Sequence, residues 1–167
     1  MDSLRVTLRK VEPTDLPFPY EWENDSPVWQ YGATHNPLSH SDLQDYIEST
    51  TGDAFRDGQL RLIICLDGAS AGCVDLYDID VRNRKAGMGV YVSEAMRGRG
   101  AGQEAVRQME QLAFGQMGLR MLYAVVSEAN EAGNRLYKQL NYQPSARLKD
   151  WTLEGDAQVW QKRNISL

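Results

Sequence analysis

The stretch "MRGRGAG", residues 96–102, places three glycines and two arginines in seven positions, between an apolar run and a segment of helical periodicity. A strand that enters a glycine-rich turn and then a helix exposes main-chain N–H groups at the helix N-terminus, where the helix dipole favours an anion. Glycine lets such a backbone turn tightly and approach a ligand closely. Arg97 and Arg99 add positive charge, so Arg97, Gly98, Arg99, Gly100, Ala101 and Gly102 read as a loop built to hold phosphates, with a merely flexible turn as the alternative. A Walker A loop would end in Gly-Lys-Ser/Thr, and "GAGQE" does not. A dinucleotide fingerprint needs GxGxxG and an acidic residue closing the next strand. Here the glycines run GxGxG and the next strand ends "VVSEAN", so neither pattern fits.

Charge narrows the partners. The net charge is −5, but residues 1–60 carry eleven acids against four bases, or −7, while residues 61–167 carry twelve against fourteen, or +2. An acidic first third argues against nucleic acid, whose binding is dominated by phosphate attraction, and suits a cationic ligand. Cys65 and Cys73 lie in apolar, strand-like stretches without metal-ligand spacing and are expected to be small buried hydrophobes. His35 and His40 have no clustered partners, so no metal site is expected. The segment "MDSLRVTLRK" lacks the apolar core of a signal peptide, and no run is as long as a membrane span. The expected location is the cytoplasm, with no membrane partner.

The elements that must position the loop are legible from periodicity. At 167 residues, with 42% hydrophobic and 25% charged content, the chain suits one soluble domain, residues 1–167. "LRVTLRKV" reads as an opening strand, and Thr14 or Asp15 in "EPTDL" could cap a short helix. Pro13, Pro17, Pro19, Pro27 and Pro37 punctuate an irregular region rich in aromatics. "SHSDLQDYIEST" predicts a helix with Ser41 at its N-cap. "LRLIICL", "DGAS" and "AGCVDLYDI" form a strand, turn and strand, and "KAGMGVYVS" a third strand ending before the glycines. Ala105, Val106, Met109, Leu112 and Ala113 recur at helical spacing between Ala101 and about Gly115. "RMLYAVVS" is a strand, and "EANEAGNRLYKQL" a helix with Ala132, Leu136 and Leu140 on one side. "ARLKDWTL" and "AQVWQKR" close the chain as a hairpin around "EGD". The result is a mixed α/β domain whose sheet consists mostly of hairpins.

The pattern Arg97-x-x-Gly100-x-Gly102 resembles the acetyl-CoA pyrophosphate loop of the GNAT N-acetyltransferases. That family follows its next strand with Asn-x-x-Ala-x-x-x-Tyr on a helix. Here "NEAGNRLYKQLNY" supplies Asn130, Gly133 in the alanine position, and Tyr137. The resemblance covers about residues 60–145 and implies an α/β (α+β) GNAT fold with a mixed, mostly antiparallel sheet of six to seven strands flanked by helices. It implies acetyl-CoA as cosubstrate and direct transfer to an amine in a ternary complex. A main-chain donor for the acyl oxygen would come from Val90, Tyr91 and Val92, where two strands splay. Asn130 would cap its helix and contact the pantetheine arm. Tyr137 matches the position of the general acid that protonates the departing thiolate. On spacing alone Tyr137 would be a core aromatic one helical turn from Gly133. Neither cysteine falls near the motif, so a covalent acetyl-cysteine route is not expected.

The amine arrives protonated, so carboxylates could attract it and relay its proton through water. A regular strand places Asp75 and Tyr77 on one face and Asp78 on the other, unless a bulge intervenes. With Glu23 and Asp25 they form the candidate acidic wall. The arrangement "VDLYDIDVRNRKAGMGVYV" is similar to spermidine acetyltransferases, and the chain also resembles the ribosomal-protein N-terminal acetyltransferases. Polyamine enzymes usually carry a substrate-binding acid where this sequence has Gly87. A polyamine such as spermidine is the first expectation, and a protein N-terminus or an aminoglycoside-like amine the second. A non-catalytic CoA-binding sensor is the reading from another class. Relatives form dimers or larger rings, so a homo-oligomer is implied by the resemblance alone.

Overall fold

The computed structural model describes residues 4–15, 39–49 and 51–166. Glu23, Asp25 and most of the proline-punctuated region lie outside the described residues. Seven strands form one sheet: β1 Val6–Lys10, β2 Leu60–Leu66, β3 Ala69–Asp80, β4 Lys85–Val92, β5 Met121–Ser127, β6 Gln143–Thr152 and β7 Gly155–Arg163. Their spatial order is β1-β2-β3-β4-β5-β7-β6. Only β4 and β5 pair in parallel, which gives the mixed, mostly antiparallel sheet expected.

The strand β2 reads as an unbroken apolar run because both of its faces are covered. Leu62, Ile64 and Leu66 join the main core, while Ile63 and Cys65 pack with Cys73 on the opposite face. Both cysteines are buried, as their apolar setting predicts. Asp67 and Gly68, at φ 50° and 85°, make the two-residue turn into β3, because both central positions of such a hairpin are left-handed. Near its end β3 is irregular between Tyr77 and Asp80, with Asp78 at φ 48°. The bulge left open by the sequence is there.

Helix α1 spans His40–Ser49 and α2 spans Ala54–Asp57. The predicted cap at Ser41 is displaced by a reciprocal one. The Ser39 hydroxyl accepts from the Asp42 N–H (3.0 Å), and the Asp42 carboxylate accepts from the Ser39 N–H (2.9 Å). Periodicity missed α2, although Asp53 caps it and the left-handed Gly58 ends it. Residues 13–15 form a single 3₁₀ turn. There Asp15 is no N-cap. Its carboxylate takes two hydrogen bonds of 2.7 Å from Arg9 and one of 2.7 Å from the Glu12 N–H.

Helix α3, Ala101–Gln111, continues into a π-helical turn at Leu112–Gln116. Its Ala101, Ala105, Val106 and Met109 are buried, as is Ala113 beyond it. They pack on the apolar face of β1–β4. Helix α4, Glu131–Gln139, packs on β5 and β7. Of its expected inner side, Leu140 is buried and Leu136 packs against the core, but Ala132 is exposed and Gly133 and Tyr137 face inward instead. The closing hairpin begins three residues earlier than expected and turns at Leu153-Glu154. No described helix is long and apolar enough to cross a membrane.

The spacing of β3 and β4 depends on Gly72, where an added Cβ would stand 1.9 Å from the Tyr91 carbonyl oxygen. Backbone cannot yield as a flexible side chain does. Gly72→Ala is therefore expected to cost about 1–3 kcal/mol in urea unfolding, the usual range for overpacking. A change under about 0.5 kcal/mol, the scatter of surface substitutions, would contradict this close approach.

Candidate active site

The parallel pairing of β4 with β5 covers only Lys85↔Met121, Ala86↔Leu122 and Gly87↔Tyr123. Beyond Gly87 the two strands part, while β4 stays paired with β3 as far as Val92. The Ser93 N–H donates to the Ala71 carbonyl on the β3 side (2.7 Å). Main-chain polar groups alternate in direction along a strand, so Val92, Val90 and Met88 turn theirs the other way, toward the gap. Two carbonyls on that side have found partners. The Val92 carbonyl accepts from Arg97 Nε (2.7 Å), and the Met88 carbonyl accepts from the Tyr137 hydroxyl (3.2 Å). Of the three candidate acyl-oxygen donors, Val90 and Val92 face the gap. Tyr91 turns its main chain to β3 and contributes its ring instead, with Arg97 Cζ 5.6 Å from the ring centroid.

The glycine loop lies directly after this strand edge. Gly98 and Gly100 are left-handed, at φ 79° and 78°, and a Cβ at either would meet nothing within 4 Å. Gly100 is the N-cap of α3 and makes no side-chain cap, so the first N–H groups of the helix have no intrahelical acceptor. Gly102 serves packing. A Cβ there would come within 3.3 Å of Leu136 on α4 and 3.5 Å of Val92 on β4, so the helix end is seated between them. Arg97 acts first as a hook between the loop and β4. Arg99 is exposed on the loop. Open space over two glycines, unsatisfied helix donors and two arginines suit a diphosphate.

On α4, Asn130 is the N-cap expected, its carbonyl oxygen accepting from the Gly133 N–H (2.9 Å). A Cβ on residue 133 would lie 2.7 Å from Asn130 Nδ2 and 3.0 Å from Val126, which accounts for glycine in the alanine position. Sequence reasoning missed Asn134. Its amide donates to the Ser127 carbonyl (2.9 Å) and accepts from Trp160 Nε1 (2.9 Å), fixing α4 against β5 and β7. Gln103 and Gln139 link the two helices through their side-chain amides.

Tyr137 is 3% exposed and packs edge-on against Tyr142, with centroids 5.0 Å apart. Burial above all, then the proximity of Tyr77, Asp75 and Glu110, raises its hydroxyl well above the ordinary phenol range. It therefore keeps its proton at neutral pH, as an acid must.

Of the acidic candidates, Asp75 lies on the face of β3 opposite the main core, the face of Cys73. Asp75 is bound by Arg61 directly across β2, with Nε and Nη2 each 2.8 Å from its carboxylate oxygens. Its charge is compensated, which spacing alone could not reveal. Asp78 is exposed at the bulge, close enough to act on both Tyr77 and Tyr123. Burial pushes Tyr77 up to about 12, with Tyr123 and Asp78 adding to it. At Gly87 an added Cβ would stand 2.3 Å from the Tyr77 ring, so an acid or any other side chain there would have to displace that ring.

With a strand gap, a helix-capping glycine loop and a buried phenol in place, the chain is an α/β protein whose sheet parts between β4 and β5. Residues 5–143 match the acetyltransferase (GNAT) domain, and the chain belongs to that family. It is an acetyl-CoA-dependent N-acetyltransferase. It is 25% identical over 143 residues to the spermidine N(1)-acetyltransferase of Escherichia coli K12, covering 86% of this chain and 75% of the relative. Its fold matches the spermidine N-acetyltransferase of Vibrio cholerae in complex with CoA and spermine, at TM-score 0.86 and 19% identity over 95% of each chain. It also matches the ribosomal L7/L12 alpha-N-protein acetyltransferase RimL bound to CoA, at TM-score 0.84 and 14% identity over 95% of this chain and 93% of that one.

Tyr77, Tyr137 and Tyr142 all hold their protons more tightly when folded, burial being the first cause in each. Unfolded phenols release protons near pH ~10, so above that pH the folded state binds more protons than the unfolded one. Stability is then full below about pH 10 and falls as pH rises toward the value of about 12 for Tyr77. Urea titrations between about pH 8 and 11 should show that decline, and Tyr137→Phe should flatten it. A flat profile in both proteins would contradict the burial of these hydroxyls.

Proposed function

We propose that this acetyltransferase moves an acetyl group from acetyl-CoA to a primary amine of a polyamine such as spermidine, by direct transfer with both substrates bound. The observation that carries the reading is the buried Tyr137 hydroxyl, held at the gap between β4 and β5 beside a loop suited to a diphosphate. Acetyl-CoA supplies the acetyl group as a thioester. The main chain of Gly98–Gly102 and the charge of Arg97 and Arg99 bind its diphosphate, in keeping with the helix donors there. The N–H groups of Val90 and Val92 are the fixed donors nearest the gap for an acyl oxygen gaining charge. Tyr137 holds a proton for the departing sulfur while its carbonyl partner, Met88, keeps the phenol aimed at the opening. Asn130, at the start of α4, flanks the pantetheine arm.

Spermidine enzymes among the relatives and the −7 charge of residues 1–60 support a polyamine. Asp78, with Glu23 and Asp25 from the acidic first third, supplies the attraction for a cation. Asp75, already paired with Arg61, holds the floor of that face. That pairing and the glycine at residue 87 favour a second reading, a less highly charged amine such as a protein N-terminus.

Thiol release from acetyl-CoA against spermidine, putrescine, a peptide with a free N-terminus and an aminoglycoside separates these readings. The expected result is turnover fastest with spermidine. Turnover with the peptide alone would establish the second reading, and a flat panel would overturn both and place the acceptor outside these four amines. In the active reaction Tyr137→Phe should lower kcat by about 10²–10⁴-fold, the span of general acid catalysis, with the KM for amine little changed. Unchanged kcat would remove Tyr137 from the chemistry.

A further inference from the structure

Tyr77, Gly87 and Tyr123 fall in one row across three strands, by the register Tyr77↔Gly87 on β3 and β4 and Gly87↔Tyr123 on β4 and β5. Residues directly opposite in a sheet point to the same face, so the two phenols flank the glycine on one side of the sheet. Their rings meet over it edge to face, with centroids 6.1 Å apart and planes at 83°. The Tyr77 ring lies where a residue-87 side chain would be, at 2.3 Å from its Cβ position, and reaches toward Gly89, at 3.9 Å. The row is also the last point at which β4 and β5 are paired. The ring pair thus stands at the foot of the gap, on the face away from α3. Both phenols are only partly buried, and Asp78 lies exposed beside them.

We propose that Tyr77 and Tyr123 form an aromatic wall that receives the alkylammonium chain of the acceptor amine and sets amine preference, with Gly87 as the seat that holds the Tyr77 ring in place. An ammonium over a phenol face and methylenes along its edge are the contacts such a pair offers, and the carboxylate of Asp78 adds long-range attraction. The Tyr77 hydroxyl stays protonated at neutral pH, since burial holds it up to about 12, so the ring binds as a neutral group. This inference rests on the reading that an amine approaches the gap from this face.

Steady-state kinetics with spermidine at saturating acetyl-CoA test it, alongside calorimetry of spermidine on the CoA-bound protein. Tyr77→Leu is expected to raise the spermidine KM and Kd by about 3- to 30-fold, the span of a cation–aromatic contact, with the acetyl-CoA KM unchanged. Tyr77→Phe, which keeps the ring, should stay within about threefold of the parent, below that same span. Gly87→Ala should match Tyr77→Leu although the tyrosine is present, because the alanine unseats it. In the double variant the alanine should add nothing, since both changes remove one contact. An unchanged spermidine KM in Tyr77→Leu, or penalties of Gly87→Ala and Tyr77→Leu that simply add, would overturn the wall while leaving the acetyltransferase reading intact. If the parent turns over only the peptide or the aminoglycoside, the polyamine reading fails and the same variants are judged with that amine. No turnover and no amine binding by the parent would overturn both.

Discussion

Main-chain donors and acceptors cannot be left buried without partners, and a parallel strand pair that starts together and then separates creates a run of them. Here the separation begins after Gly87 meets Tyr123, and the edge of β4 it exposes runs through Met88, Val90 and Val92. The chain answers with side chains from two directions. Tyr137 comes up from α4 to the first carbonyl and Arg97 folds back from the glycine loop to the last. The residues that satisfy the frayed edge are thereby the residues carried to the opening. Structure and chemistry share one requirement, because whatever binds at the gap must find its contacts along the same edge.

The loop can sit so close because glycine is used there for two different reasons. Gly98 and Gly100 provide left-handed turns facing open space, and Gly102 provides contact, letting the start of α3 settle between Val92 and Leu136. The helix donors are thus brought to the strand edge rather than left at a distance from it. Behind them, Gln103 to Gln139, and Asn134 to Trp160 and Ser127, lock α3, α4, β5 and β7 into a single frame. The Lys162–Glu110 pair, at 2.8 Å, with its carboxylate buried and its ammonium half-buried, ties the far end of α3 to β7.

Much of this was legible in the sequence because its signals are local. The glycine loop, the Asn130 cap, the buried cysteines and the Asp67-Gly68 turn each depend on a few neighbouring residues whose conformational preferences agree with the fold. What escaped depended on partners distant in the chain or on competition between near neighbours. Ser41 lost the cap of α1 to Ser39 because only Ser39 has an acid three residues on to reciprocate. Ala132 lost its place on the inner face of α4 to Gly133, since the approach of Val126 and the Asn130 side chain cannot be seen in a helical repeat. Asp75 reads as a surface acid until the strand register places Arg61 opposite it. Tyr123 carries no motif at all, and only the strand register shows it in line with Gly87 and Tyr77 where the strands part.

The residue under the Tyr77 ring and the residue whose carbonyl receives Tyr137 are consecutive on one strand, Gly87 and Met88. The peptide unit that joins them is planar and the Met88 carbonyl belongs to the next one, so only a few backbone dihedrals separate the seat of one phenol from the acceptor of the other. Those dihedrals are the slack of the arrangement. A side chain placed at residue 87 would be taken up there, or by the Tyr77 ring, before it reached the carbonyl that holds Tyr137.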